Sequence, residues 1–183
     1  MKKYFPIYLY GAIIILDGIL LQFTKYSSFN TIKLSLGISL IIGALLAFMA
    51  AFSQPKKQVQ FSYHEMHAFA ILVYGVSVLV FGNTIEKLIC YTGFLFIFYS
   101  FSEIIFCFWL FNLGQKVVNK IIIIRFALGF LTGLGTMVSM YFSSFTLLGF
   151  GIIFILVGVN IMCYAPVMKG KDQSEVKIAE NKR

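Results

Sequence analysis

Six runs of about 20 mostly apolar residues follow one another along this chain, at about 5–24, 31–53, 65–82, 88–111, 121–142 and 145–165. That is the length a helix needs to cross the hydrocarbon core of a bilayer. In lipid the backbone must satisfy its own hydrogen bonds. Continuous apolar runs do so as α-helices, and the strict alternation of a barrel strand is missing here. Composition points the same way. Of 183 residues, 60% are hydrophobic and only 12% charged, too little charge to cover a soluble domain of this size. The expected fold is an all-α integral membrane protein of six transmembrane helices, with connections too short to hold a separate soluble domain. The first run opens on MKK, as a signal peptide would. No small-residue cleavage site follows, and the chain continues through QFTKYSSFN into a second span.

The net charge of +8 would suit nucleic acid if it were clustered, but its placement suits topology. With six spans, Lys2, Lys3, Lys56, Lys57, Lys116, Lys120, Arg125, Lys169, Lys171, Lys177, Lys182 and Arg183 share one side. Lys25, Lys33 and Lys87 are left for the other. Twelve against three is a strong positive-inside asymmetry. Both termini are therefore expected in the cytoplasm, with the basic excess meeting anionic lipid headgroups of the cell membrane. No nucleic-acid partner is expected. The three cysteines, Cys90, Cys107 and Cys163, are widely spaced and form neither a disulfide framework nor a C-x-x-C metal motif. They read as small buried apolar side chains.

An internal repeat is visible when glycines are aligned. Gly18, Gly75 and Gly133 are separated by 57 and 58 residues, and Gly43, Ser100 and Gly158 by the same intervals. Ala50, Cys107 and Ala165 make a third column. The chain thus reads as three tandem helical hairpins, at about 4–53, 63–111 and 120–166, in a transmembrane domain spanning 1–167. Each hairpin starts and ends on the same side, so the repeats are parallel rather than inverted. Helices in lipid associate where small residues let backbones approach, which makes Gly18, Gly43, Gly75, Ser100, Gly133 and Gly158 the expected packing points. Gly129 and Gly133 form a small-x-x-x-small pair, suited to packing within the bundle or between copies in a homo-oligomer; the former is the expectation. Pro55, Lys56 and Lys57 lie in the longest polar connection, SQPKKQVQFSY. The tail at 168–183 is basic and polar and is expected to be disordered.

Ionisable residues within spans are functional candidates by default. Asp17 lies near the middle of the first span, Glu103 in the fourth and Arg125 about one turn into the fifth. Counting residues from the cytoplasmic ends puts Glu103 and Arg125 within about 5 Å of the same depth. They can form an ion pair that clips the second hairpin to the third. The alternative is an Arg125 that reaches back to the headgroups and a Glu103 that takes up a proton. Asp17 has no basic residue at its depth. It is expected either to carry a proton and clasp a neighbouring helix, with Gln22, Thr132, Ser139 and Asn160 as partners by type, or to face a wet cavity as a proton-sensitive site. The clasp is the favoured reading.

His64 and His67 share one helix face at the start of the third span, but no third ligand accompanies them and H-E-x-x-H is not formed. They read as interfacial residues, with no metal and no cofactor expected. No nucleophile elbow, P-loop or dinucleotide turn is present, so no enzymatic activity is expected. Tyr4, Tyr8, Tyr10, Tyr63, Tyr141 and Tyr164 lie near span boundaries, as an aromatic belt would.

Six spans in three glycine-marked hairpins, and above all the run FTLLGFGIIFILVGVNIMCYA at 145–165, resemble the HdeD family of small bacterial acid-resistance membrane proteins. The resemblance implies a non-enzymatic, multi-pass protein of the bacterial inner membrane linked to acid stress. It brings no catalytic residues, and Asp17 and Glu103 match no motif of the family. The competing expectation is a small transporter or channel with a proton-sensitive carboxylate. That needs Asp17, Gln22, Ser100, Ser102, Glu103, Thr132, Ser139 and Asn160 to converge on one cavity.

Overall fold

The computed structural model describes residues 5–23, 28–52, 59–112, 119–142 and 146–166. The basic residues Lys2, Lys3, Lys25, Lys56, Lys57 and Lys116, with Tyr4, Pro55 and the tail, lie outside these residues, as do the side chains of Tyr63 and His64. The described chain is all-helical: α1 (Phe5–Gln22), α2 (Phe29–Phe52), α3 (Val59–Phe81), α4 (Ile85–Asn112), α5 (Asn119–Tyr141) and α6 (Thr146–Met162). Every helix but α3 is long and apolar enough to cross a membrane, and α3 is apolar from Met66 to Phe81.

Local chemistry explains where helices start and stop. Ser28 caps α2, its Oγ accepting from the Thr31 N–H at 3.3 Å. Thr84 does the same for Lys87 at 3.4 Å, so α4 starts three residues before its apolar run. It extends over 28 residues, about 42 Å. α3 begins at Val59, and thus takes the polar stretch around His64 into its first turns. At the α5–α6 turn, Thr146 Oγ1 donates to the Ser139 carbonyl at 3.0 Å, occupying an acceptor that the end of α5 leaves open.

The helices close into a ring in which each packs on its chain neighbours and α6 returns to α1. The most extensive contacts, α1·α6, α2·α3 and α4·α5, run between the repeat hairpins rather than within them. Phe96 of α4 fills the centre with Phe150 and Phe154 of α6, ring centroids 5.8 and 4.6 Å away, in a core that also holds the buried Ile14, Leu36 and Leu40. Large apolar side chains such as Leu16, Leu45, Phe94 and Ile105 are exposed around the outside. A bilayer would cover such an exterior, whereas water would not.

Small residues set the helix separations. A methyl group built on Gly18 would lie 2.5 Å from the Gly151 carbonyl oxygen, and one on Gly158 would lie 2.6 Å from that of Gly11. Built on Gly75, it would meet the Gly37 carbonyl oxygen at 3.2 Å, and on Gly133 the Ser100 Cβ at 3.1 Å. Gly18, Gly75 and Gly133 therefore share one setting. Each faces the second helix of the preceding hairpin, counting α6 as preceding α1. In the second column, Ser100 faces α5 and Gly158 faces α1, but Gly43 makes room for the Tyr10 ring within its own hairpin. Gly129 packs on Glu103, inside the bundle. Ala50, Cys107 and Ala165 are all buried, whereas Cys90 is exposed and Cys163 half-buried. The reading of all three cysteines as buried thus holds for Cys107 alone.

Candidate functional site

The repeat interval that relates the glycines also relates Tyr10, His67 and Arg125, separated by 57 and 58 residues. Each lies on the first helix of its hairpin, and each is buried. α4 adds Tyr99, Glu103 and Cys107, spaced i, i+4, i+8 along one face; α6 adds Asn160, and the short helical stretch just after α6 adds Tyr164. These eight residues form a buried polar layer in the half of the bundle where α1, α3 and α5 begin.

At one side of the layer Arg125 and Glu103 form a bidentate ion pair. Nε donates to Oε1 at 2.7 Å and Nη2 to Oε2 at 2.8 Å. Glu103 has no exposed surface and Arg125 2%, so the Arg125 side chain turns into the bundle instead of reaching the headgroups. Two charges buried this deeply survive only as a pair with good geometry. Aromatic rings complete the cage: the guanidinium carbon lies 4.8 Å from the Tyr164 ring centre and 5.6 Å from that of Phe106. The Cys107 thiol donates to Glu103 Oε1 at 3.7 Å.

Aromatic contacts carry the layer across the bundle. The His67 ring lies 4.9 Å from that of Tyr99 and 6.1 Å from that of Tyr10. Asn160 Nδ2 donates to Tyr99 Oη at 2.6 Å, joining α6 to α4. Tyr99→Phe removes that acceptor and is expected to lower stability by about 0.6 kcal/mol, read as a small drop in Tm in detergent. Three of the sequence-based expectations are corrected here. His67, expected at the interface, is 4% exposed, because α1 and α4 close over its face of α3. Tyr10 and Tyr164, expected in an aromatic belt, point into the bundle; Tyr8 and Tyr141 are exposed.

Asp17 lies in the other half, apart from Glu103 and Arg125. Its partner is Ser39 of α2, with Oγ 2.5 Å from Oδ1, and none of the four residues expected from type. The ring order is the reason: α1 sits between α2 and α6, so Thr132 and Ser139 of α5 are not its neighbours. Gln22 donates to the Leu148 carbonyl, and Asn160 is engaged by Tyr99. Ser39 Oγ is also 3.0 Å from the Leu36 carbonyl. One hydroxyl proton cannot serve both oxygens. Ser39 donates to Asp17 in the clasp, and the Leu36 carbonyl is the alternative acceptor for the same proton. In the second hairpin, Tyr74 stands at the repeat position of Asp17, and its Oη is 2.6 Å from Thr92 Oγ1 of α4. The first two hairpins thus each carry a polar clasp between their own helices.

Three further polar candidates donate to carbonyls. Ser100 Oγ donates to the Gly129 carbonyl at 2.8 Å, Ser102 to that of Tyr99 and Thr132 to that of Leu128. The eight candidates do not converge on one cavity. The gap beside His67, Tyr99, Ile14 and Phe154 measures about 10 Å³, at the lower limit for a single water. Among the described residues no cluster of three or more His, Cys, Asp or Glu side chains could hold a metal ion.

No family model matches this chain, and neither does any curated protein or solved structure.

Sequence reasoning missed Tyr10, His67, Tyr99 and Tyr164 as members of a site. A signal was present, since 10, 67 and 125 obey the glycine interval. Tyr, His and Arg differ in type, however, and an alignment led by small residues passes over them.

Proposed function

We propose that this chain is a six-span membrane protein with both ends on its more basic side, acting as a non-enzymatic structural component of the membrane. The resemblance to HdeD proteins supports a role in acid stress and a bacterial inner-membrane location. One observation carries the reading: most polar side chains of the interior are spent on tying helices together or on carbonyls of their own helix. Asp17 bonds α2, Ser100 bonds α5, Glu103 pairs with Arg125 and Asn160 bonds α4. A bundle built this way is a stable scaffold in lipid, where such bonds hold helices that the hydrophobic effect does not.

A second reading is favoured by one detail. Asp17 Oδ2 and Tyr10 Oη, both on α1, have no hydrogen-bond partner among the described residues. Buried orphans of this kind mark places where water or a proton enters, as a proton-responsive transporter would need. Proton flux into liposomes separates the two, comparing wild type with Asp17→Asn across pH 4 to 7. The scaffold reading expects no flux above protein-free liposomes from either protein. Flux in wild type that Asp17→Asn abolishes would establish the transporter. Tags at the two ends should map to the same face of the membrane; opposite faces would overturn the six-span topology.

A further inference from the structure

Of the contacts between chain neighbours in the ring, α3·α4 is the least extensive. An open groove of about 450 Å³ runs there along the outside of the bundle, within the roughly 300–1,000 Å³ usual for ligand sites. Its α4 wall is a single helical stripe of Tyr91, Phe94 and Phe98, and exposed Lys87 continues that stripe one turn toward the start of the helix. The α3 wall runs the opposite way, from Phe69 to Ser77. The two ends therefore differ in chemistry. Phe69 and Phe98 line one end. Ser77 and Tyr91 line the other, with Lys87 one helical turn beyond Tyr91 on α4. Behind the groove, the Tyr74–Thr92 hydrogen bond joins the two helices, giving it a closed back wall.

Charge at the polar end is positive. The neighbouring carboxylate, Glu86, accepts from Thr84, which keeps it charged, so it offsets one ammonium and leaves the other uncompensated. Lys33 of α2 brings a second ammonium to this turn, its Nζ 3.5 Å from Asn83 Oδ1. The first amides of α4 add the positive end of a helix dipole. We propose that this groove holds one anionic phospholipid from the leaflet at the α3–α4 turn, with its phosphate on Lys87 and an acyl chain lying along Tyr91, Phe94 and Phe98. This inference rests on the membrane reading above.

The test is native mass spectrometry of detergent-solubilised, delipidated protein, given phosphatidylglycerol or phosphatidylcholine in mixed micelles. Wild type is expected to retain one phosphatidylglycerol, about five-fold over phosphatidylcholine. Val73→Trp and Ser77→Phe, which fill the groove, should lose it. Lys87→Gln, at an exposed position that leaves the fold intact, should lose most of the preference for phosphatidylglycerol. Leu131→Trp, on the outer face of α5, should behave as wild type. Equal retention of the two lipids by wild type, or undiminished phosphatidylglycerol on Val73→Trp and Ser77→Phe, would overturn the site. So would a charge preference undiminished in Lys87→Gln. Carbonate extraction of the same protein from membranes tells the two failures apart. A protein that resists extraction yet lacks the preference fails this inference alone, whereas one that is extracted fails the membrane reading.

Discussion

Glu103→Ala is expected to destabilise the bundle by about 3–5 kcal/mol, because it leaves the Arg125 guanidinium charged and buried with its carboxylate gone. The loss should appear as a large fall in the detergent unfolding midpoint. Arg125→Ala should cost a similar amount, since it strands the carboxylate. The informative variant is the double replacement Glu103→Leu/Arg125→Met. A buried pair exchanged for apolar side chains of similar volume is often neutral or stabilising, so the double variant should recover most of what either single variant loses. Equal damage from the double and single variants would show that the pair's value lies in packing against Phe106 and Tyr164 instead of in its charge balance. Glu103→Gln is the mildest probe: it keeps the volume and part of the hydrogen bonding. A midpoint equal to that of wild type would remove the ion pair from the account of stability.

The second large effect is expected where α1 meets α6. A side chain on Gly158 or Gly18 would run into backbone: the Gly11 carbonyl oxygen at 2.6 Å and the Gly151 carbonyl oxygen at 2.5 Å respectively. Backbone cannot swing aside as a flexible side chain can, so the two helices would have to separate. Gly158→Ala is expected to cost about 1–3 kcal/mol, as overpacking commonly does. Gly158→Leu should prevent α6 from docking, and the protein should be recovered aggregated or protease-sensitive. Gly135 is the control. A methyl group built there meets Ile153 only at ordinary contact distance, 3.5 Å from Cγ1, and Gly135→Ala should leave the midpoint within about 0.5 kcal/mol. If Gly158→Ala and Gly135→Ala behaved alike, the close approach of α1 and α6 would not limit stability.

These two sites illustrate how legible the protein is. Residue counting along two spans brings Glu103 and Arg125 to one depth, and the structure joins them. Counting cannot say which way Arg125 turns. That was decided by Tyr164 and Phe106, which come from other parts of the sequence and enclose the guanidinium. For Asp17 the residue type announced a polar contact but not its partner. Ser39 was overlooked because a serine in an apolar run is unremarkable, and because the partner depends on which helices stand beside α1.

The sequence by itself determined the length and apolar character of the helices and the 57- and 58-residue intervals of the glycines, because both are properties of single segments or of their spacing. Only the tertiary structure decided that the ring closes through α1 and α6, that the closest contacts run between hairpins, and that Tyr10, His67 and Arg125 share one buried layer. The reason is physical. In an apolar helix almost any face can meet lipid, so hydrophobicity does not choose the inward side. Close backbone approach and the need of each buried polar group for a partner make that choice, and both exist only once the six helices are assembled.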